Sequence, residues 1–266
     1  MLCLDIDGTL LNSKHEITQA TKIAIKEAVD VAGIIVVLIS ARPADGMFFL
    51  QDELGLESPL VCLNGALIYD EHRQVIAEAF IPADETSRIH QLLNDMDLSF
   101  NLYRGDHWYV ERTNDWADQE ASITRTTPEL ASFETLLAGW TVQQTGPNKI
   151  LIMGEPGKIN QVDRLVNEQC QWPIQAFRSK DAYYEIIPQH VSKTGAIITL
   201  QNRYGIDPSE VIAVGDNYND IDMLVHAGLG IAMGNAPEEV KSKAKAVTAS
   251  NDEDGVARVI RRYILG

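Results

Sequence analysis

Two runs of the chain are apolar without interruption and rich in β-branched residues, "IIVVLIS" at 34–40 and "VIAV" at 211–214. A half-exposed strand alternates polar and apolar residues. An unbroken run reads instead as a strand buried on both faces, the habit of a parallel sheet covered by helices. The surroundings agree. "LCLDID" is a short apolar strand, and "TQATKIAIKEAVDVAG" follows with helical spacing, predicting Ile23, Ala24, Ala28 and Val31 on one face. Strand, helix and strand within about forty residues form a βαβ unit, which predicts an α/β fold with a doubly wound, mainly parallel sheet.

The pattern continues through a helix around "ADGMFFLQDELG" and a hairpin in "PLVCLNGALIYD", turning at Asn64-Gly65. The texture then changes. Residues 84–187 hold all four tryptophans and more alternating, half-polar stretches, with strands read at "HWYVER", "NKILIMG" and "AYYEIIP" and helices at "SRIHQLLNDMD" and "INQVDRLVNEQC". The buried α/β texture returns after Pro188. The expected organisation is an α/β core of residues 1–83 and 188–266, with an inserted α+β domain at 84–187.

The formal charge of -16 disfavours phosphate backbones and anionic lipid faces, so neither nucleic acid nor a membrane is expected as partner. A small anionic substrate is compatible with that charge if a metal ion or a few placed cations reverse its sign locally. The three cysteines, Cys3, Cys62 and Cys170, are odd in number and widely spaced in apolar contexts. They read as buried thiols in a reducing compartment, and with no secretory leader or spanning run the expected location is the cytoplasm. A monomer or small homo-oligomer is expected.

Open α/β sheets place ligands beyond the carboxyl ends of their strands. Asp5–Thr9, Ser40–Pro43 and Gly215–Asp220 fall at such ends, and Lys193 opens a helix. Asp5 and Asp7, read as positions i and i+2 of one strand, share a face, and two close carboxylates call for a cation such as Mg²⁺. The bland alternative is an Asp-Gly turn. Asp216 and Asp220, with Asn217 and Asn219, form a second acidic cluster that also fits a turn and helix cap. Ser40 fits a phosphate-binding hydroxyl or an ordinary cap, and Lys193 an anion-holding group or a solvated lysine.

Together, "DIDGTL", "ISARP", Lys193 and "GDNYND", in this order and spacing, resemble the four motifs of the haloacid dehalogenase-like phosphatases. The resemblance covers the whole chain and is close to the Cof-type branch with a type IIB cap between the second and third motifs. "NGA" at 64–66 resembles a segment usual in that branch. The resemblance implies a Mg²⁺-dependent phosphatase of small phosphorylated metabolites, sugar phosphates foremost, working through an aspartyl phosphate. It implies Asp5 as nucleophile and Asp7 as general acid and base, the latter with a raised pKa. It implies Mg²⁺ held by Asp5 and Asp216, by the backbone carbonyl of Asp7, and by Asp220 mainly from the outer shell. Ser40, Ala41, Lys193 and Asn219 would bind the phosphate. The alternatives are a phosphomutase of the same superfamily, or a non-enzymatic module that binds Mg²⁺ and is phosphorylated on Asp. Two positions depart from the family pattern: Ala41 stands where Gly is usual, and Lys193-Thr194-Gly195 replaces Lys-Gly-Thr. If the Ala41 position required positive φ, the methyl would cost roughly 1–2 kcal/mol.

Overall fold

The computed structural model describes residues 1–170 and 173–266, so Trp172 lies outside the described residues. The chain forms two compact units. The first is Met1–Ala41, Met47–Ile76 and Ser192–Gly266, and the second is Arg42–Gly46 and Ala77–Val191.

The first unit is built on an eight-stranded sheet whose last strand runs past its boundary at Ile76. From edge to edge its strands are Ala246–Val247, Leu229–Ala232, Ile212–Gly215, Leu2–Asp5, Val36–Ile39, Leu60–Cys62, Leu67–Tyr69 and Val75–Glu78. The first six pair in parallel, as the unbroken apolar runs predict, and Leu60–Cys62 pairs antiparallel with Leu67–Tyr69. Leu2–Asp5 and Val36–Ile39 are buried at every residue. In register, Leu4 sits between Val214 and Leu38, and Asp5 lies beside Ile39. Three neighbouring strands therefore end at the same edge, and their ends carry Asp5, Ser40 and Gly215-Asp216.

Helix Gln19–Asp30 begins where Thr18 accepts a hydrogen bond from Thr21 N, and it buries Thr21, Ala24, Ile25 and Ala28. This stripe runs i, i+3, i+4, i+7, so the face predicted from the sequence is corrected: Ile23 is 44% exposed and Val31 79%. Helix Lys193–Tyr204 is capped by Ser192, whose hydroxyl accepts from Gly195 N at 3.0 Å, and it closes on left-handed Gly205. The Lys-Thr-Gly order therefore leaves Lys193 at the first helical position, with Gly195 supplying the capped amide.

The second unit has a six-stranded sheet in the order Ile174–Lys180, Tyr183–Pro188, Lys149–Met153, Ser99–Arg104, His107–Val110 and Glu129–Leu130, antiparallel except at its last pair. Helices Ala83–Leu93, Phe133–Val142 and Pro156–Gln169 share a core with it that includes Ile89, Leu102, Phe133, Trp140, Ile150, Val162 and Tyr184. No helix among the described residues is long and apolar enough to cross a membrane. Cys3 and Cys62 are buried as expected, whereas Cys170 is only partly buried, with its thiol donating to Glu85 Oε1 at 2.8 Å. Burial pushes the Cys3 thiol up to about 12 and raises Cys62 as well, which keeps both protonated.

Gly230, in the parallel strand Leu229–Ala232, marks a close helix–strand approach, since a Cβ there would lie 1.9 Å from Leu224 O. Gly230→Ala is expected to destabilise the fold by about 2–3 kcal/mol, a fall of roughly 5–10 °C in thermal midpoint, read by calorimetry. An unchanged midpoint would show that this approach does not constrain the fold.

Candidate active site

Asp5 is the last residue of its strand and is 6% exposed. Its Oδ1 accepts from Lys193 Nζ at 2.5 Å, and the same ammonium donates to Asp220 Oδ1 at 2.6 Å. The other oxygen of Asp220 accepts from the backbone N–H groups of Asp216 (2.9 Å) and Asn217 (3.0 Å). Asp220 thus holds Lys193 with one oxygen and shapes its own loop with the other. Asp216 Oδ1 accepts from the Thr9 hydroxyl at 2.9 Å. Segments more than two hundred residues apart in sequence are joined directly here.

Two glycines make the approach possible. Gly8 has φ +85°, and a Cβ on it would stand 2.3 Å from Asp216 Oδ2. A Cβ on Gly215 would stand 2.5 Å from Asp220 Cγ. The Gly8 carbonyl is fixed in turn by Asn235 Nδ2, which donates to it at 2.9 Å.

The electrostatics follow from burial. Burial raises Asp5 well above the usual carboxylate range, against the pull of Lys193, and the neighbouring Asp220 and Asp216 add to the rise. Burial also raises Asp216, to about 6, although the Thr9 hydrogen bond opposes it. Burial works against the charge of Lys193, but Asp220 and Asp5 outweigh it and hold the ammonium above its ordinary range. Oxygens of Asp5, Asp216 and Asp220 lie within 4.8 Å of one another. Three carboxylates thus face one ammonium, leaving an ionised cluster two positive charges short. An all-oxygen donor set with that deficit fits a hard divalent cation such as Mg²⁺.

The structure therefore brings together Asp5, Lys193, Asp216 and Asp220, four of the residues singled out in the sequence. Ser40 is buried at the adjacent strand end, with its N–H donating to Val61 O at 3.0 Å and its carbonyl accepting from Asn64 N at 2.9 Å. Ala41 does not have positive φ, so its methyl carries no left-handed strain. Asn219 is exposed and reaches Asn64 Oδ1 with its Nδ2 at 3.4 Å.

Asp7 requires a correction. The strand stops at Asp5, and Asp7 sits beyond it, bridged to Leu11 and exposed, so the two acids do not share a strand face. Its carboxylate is not part of the three-carboxylate group. The contacts of Thr9, Asn64 and Asn235 were not anticipated. Thr9 lies within "DIDGTL" and Asn64 within "NGA", but nothing in the sequence near Asn235 marks its contact with Gly8.

The chain is similar to known proteins over nearly its whole length. Residues 2–260 match the family model of haloacid dehalogenase-like hydrolases. A Haemophilus influenzae protein classed among the phosphatases is 35% identical over 258 residues, covering 96% of this chain and 95% of its own. A Bacillus subtilis 5-amino-6-(5-phospho-D-ribitylamino)uracil phosphatase is 30% identical over 268 residues, covering 100% and 96%. The crystal structure of a haloacid dehalogenase-like hydrolase from Bacteroides thetaiotaomicron matches with a TM-score of 0.89 at 33% identity over 98% of each chain. With Asp5, Lys193 and Asp216–Asp220 meeting at the edge where the motifs of such enzymes are expected, the chain belongs to the haloacid dehalogenase-like hydrolase family, as a phosphatase of its Cof-type branch.

Proposed function

We propose that this protein is a Mg²⁺-dependent phosphatase that hydrolyses small phosphorylated metabolites, sugar phosphates foremost, through a phosphoryl group carried on Asp5. The observation that carries the reading is the buried Lys193 ammonium shared between Asp5 and Asp220, with Asp216 in the same cluster. The deficit of positive charge there supports a divalent cation held by Asp5 and Asp216, by the Asp7 carbonyl, and by Asp220 mainly from the outer shell. When bound, Mg²⁺ neutralises charge on the phosphoryl oxygens and lowers the pKa of the carboxyls that hold it.

The chain's own residues do the rest. Asp5 attacks phosphorus in line with the leaving oxygen, and the bond from phosphorus to that oxygen breaks as the bond to Asp5 forms. Asp7 gives its proton to the leaving oxygen. It then takes a proton from the water that attacks phosphorus and frees Asp5 and inorganic phosphate. An exposed Asp7 suits both halves of that exchange, since it is open to solvent. Lys193 offsets the repulsion between a carboxylate and a phosphate dianion, and it stabilises charge spread over the transferring group. Ser40, through its hydroxyl, Ala41, through its N–H, and Asn219 address the phosphate oxygens.

The Escherichia coli pyridoxal phosphate phosphatase is 27% identical over 278 residues, covering 100% of this chain and 98% of its own. It and the ribitylamino-uracil phosphatase act on phosphomonoesters of small metabolites, which supports that substrate class here. The inserted residues 84–187 are proposed as the cap that selects the leaving group and excludes water during attack.

A phosphate-release screen over phosphorylated metabolites is expected to give turnover that EDTA abolishes and Mg²⁺ restores. In the same screen Asp5→Asn should lower kcat by at least ~10³-fold. Undiminished release by that variant would remove the assigned nucleophile. Lys193→Gln is expected to lower kcat by about 10²–10³-fold. A variant that changes only KM would show that Lys193 serves binding and not the transition state.

A further inference from the structure

The hairpin turn at Leu63–Gly65 has no part in the chemistry above, yet its backbone is held in an unfavourable form. Leu63, Asn64 and Gly65 have φ of 52°, 58° and 102°, three left-handed residues in succession. Leu63 is fully buried and Asn64 is 5% exposed. Asn and Gly tolerate this region, but a leucine does not adopt it readily. Such a conformation persists only where the surroundings over-determine it.

The surroundings are three segments of the site. The Asn64 N–H donates to Ser40 O at 2.9 Å. Its side-chain Oδ1 accepts from Asn219 Nδ2 at 3.4 Å. A Cβ on Gly65 would lie 2.5 Å from Ser192 O, at the cap of the helix that Lys193 begins. A hairpin needs none of these contacts to reverse the chain.

We propose that Asn64 is a positioning residue that orients two donors toward the substrate's phosphate, the Ala41 N–H and the Asn219 amide. The first effect runs through the peptide plane. Ser40 C=O and Ala41 N–H belong to one trans peptide and point in opposite directions, so holding the carbonyl fixes the N–H. The second runs through the amide. An unrestrained Asn219 presents either its oxygen or its NH₂, and an oxygen facing a phosphate is repelled. Accepting one Nδ2 hydrogen on Asn64 Oδ1 turns the NH₂ end inward and leaves its second hydrogen for the phosphate. This inference rests on the proposal that Ala41 and Asn219 address the phosphate.

The test is the inhibition constant of inorganic phosphate, with Mg²⁺ present, for Asn219→Ala introduced into three backgrounds. Asn64→Gly accepts the left-handed backbone but loses the side-chain acceptor, whereas Asn64→Asp keeps both. Asn219→Ala is expected to weaken phosphate about tenfold in wild type and in Asn64→Asp, the size of one hydrogen bond to a charged group. In Asn64→Gly, already weakened, it should cost less than about twofold, because the donor is no longer oriented. An equal loss in all three backgrounds, or wild-type phosphate affinity in Asn64→Gly, overturns the proposal. Should Asn64→Gly not fold, Asn64→Asp decides alone: if Asn219→Ala costs nothing there, the proposal fails. Those results in an enzyme whose turnover still depends on Asp5 leave the phosphatase reading intact. Wild-type protein that neither hydrolyses phosphomonoesters nor binds phosphate overturns both.

Discussion

The structure of the site depends on one buried ammonium. Lys193 is 3% exposed and sits at the first position of its helix, where the helix dipole disfavours a cation. It is stable there because Asp5 and Asp220 both accept from it, and losing one partner of such a buried pair typically costs about 3–5 kcal/mol. The contact ties the first strand of the chain to the loop after Ile212–Gly215 and to the helix that returns the chain to the first unit. The same burial raises Asp5 and Asp216, so a bound divalent cation would return them to the ionised form that attack by Asp5 requires.

Close backbone approach is the second constraint. Gly8 and Gly215 leave room for the carboxylates of Asp216 and Asp220 where any side chain would collide. Asp220 then folds the loop around itself by accepting two backbone amides, so the residue that holds Lys193 also sets the loop carrying Asp216 and Asn219. Precision at the site therefore comes from rigid elements and missing side chains, and little of it from flexible polar groups.

Much of this was legible in the sequence, for physical reasons. Unbroken β-branched runs this short read as strands covered on both faces, so the parallel sheet followed from "IIVVLIS" and "VIAV". Because such sheets collect ligands at their carboxyl ends, the sequence alone puts Asp5, Ser40 and Asp216 on one edge. The errors came where chain path overrules pattern. The spacing of Asp5 and Asp7 reads as one strand, but the chain leaves the sheet after Asp5, turns at Gly8 and leaves Asp7 exposed. In helix Gln19–Asp30, Thr21 fills the buried position that the apolar Ile23 was expected to hold. Strand Ser99–Arg104 is masked in the sequence because its buried face carries the polar residues Ser99 and Asn101. Asn101 is satisfied there by donating to Ser99 O and Leu151 O and accepting from Trp108 Nε1, contacts that no local pattern records. The roles of Thr9 and Asn64 are likewise long-range hydrogen bonds, invisible until the strands are assembled.

The central claim is that the phosphoryl group passes through Asp5 in two successive displacements. The stereochemical course at phosphorus tests it most directly, using a substrate ester made chiral with three oxygen isotopes and hydrolysed to completion by the wild-type enzyme. Two in-line displacements predict net retention of configuration. Net inversion would mean that water attacks the substrate in a single step, and it would contradict the account.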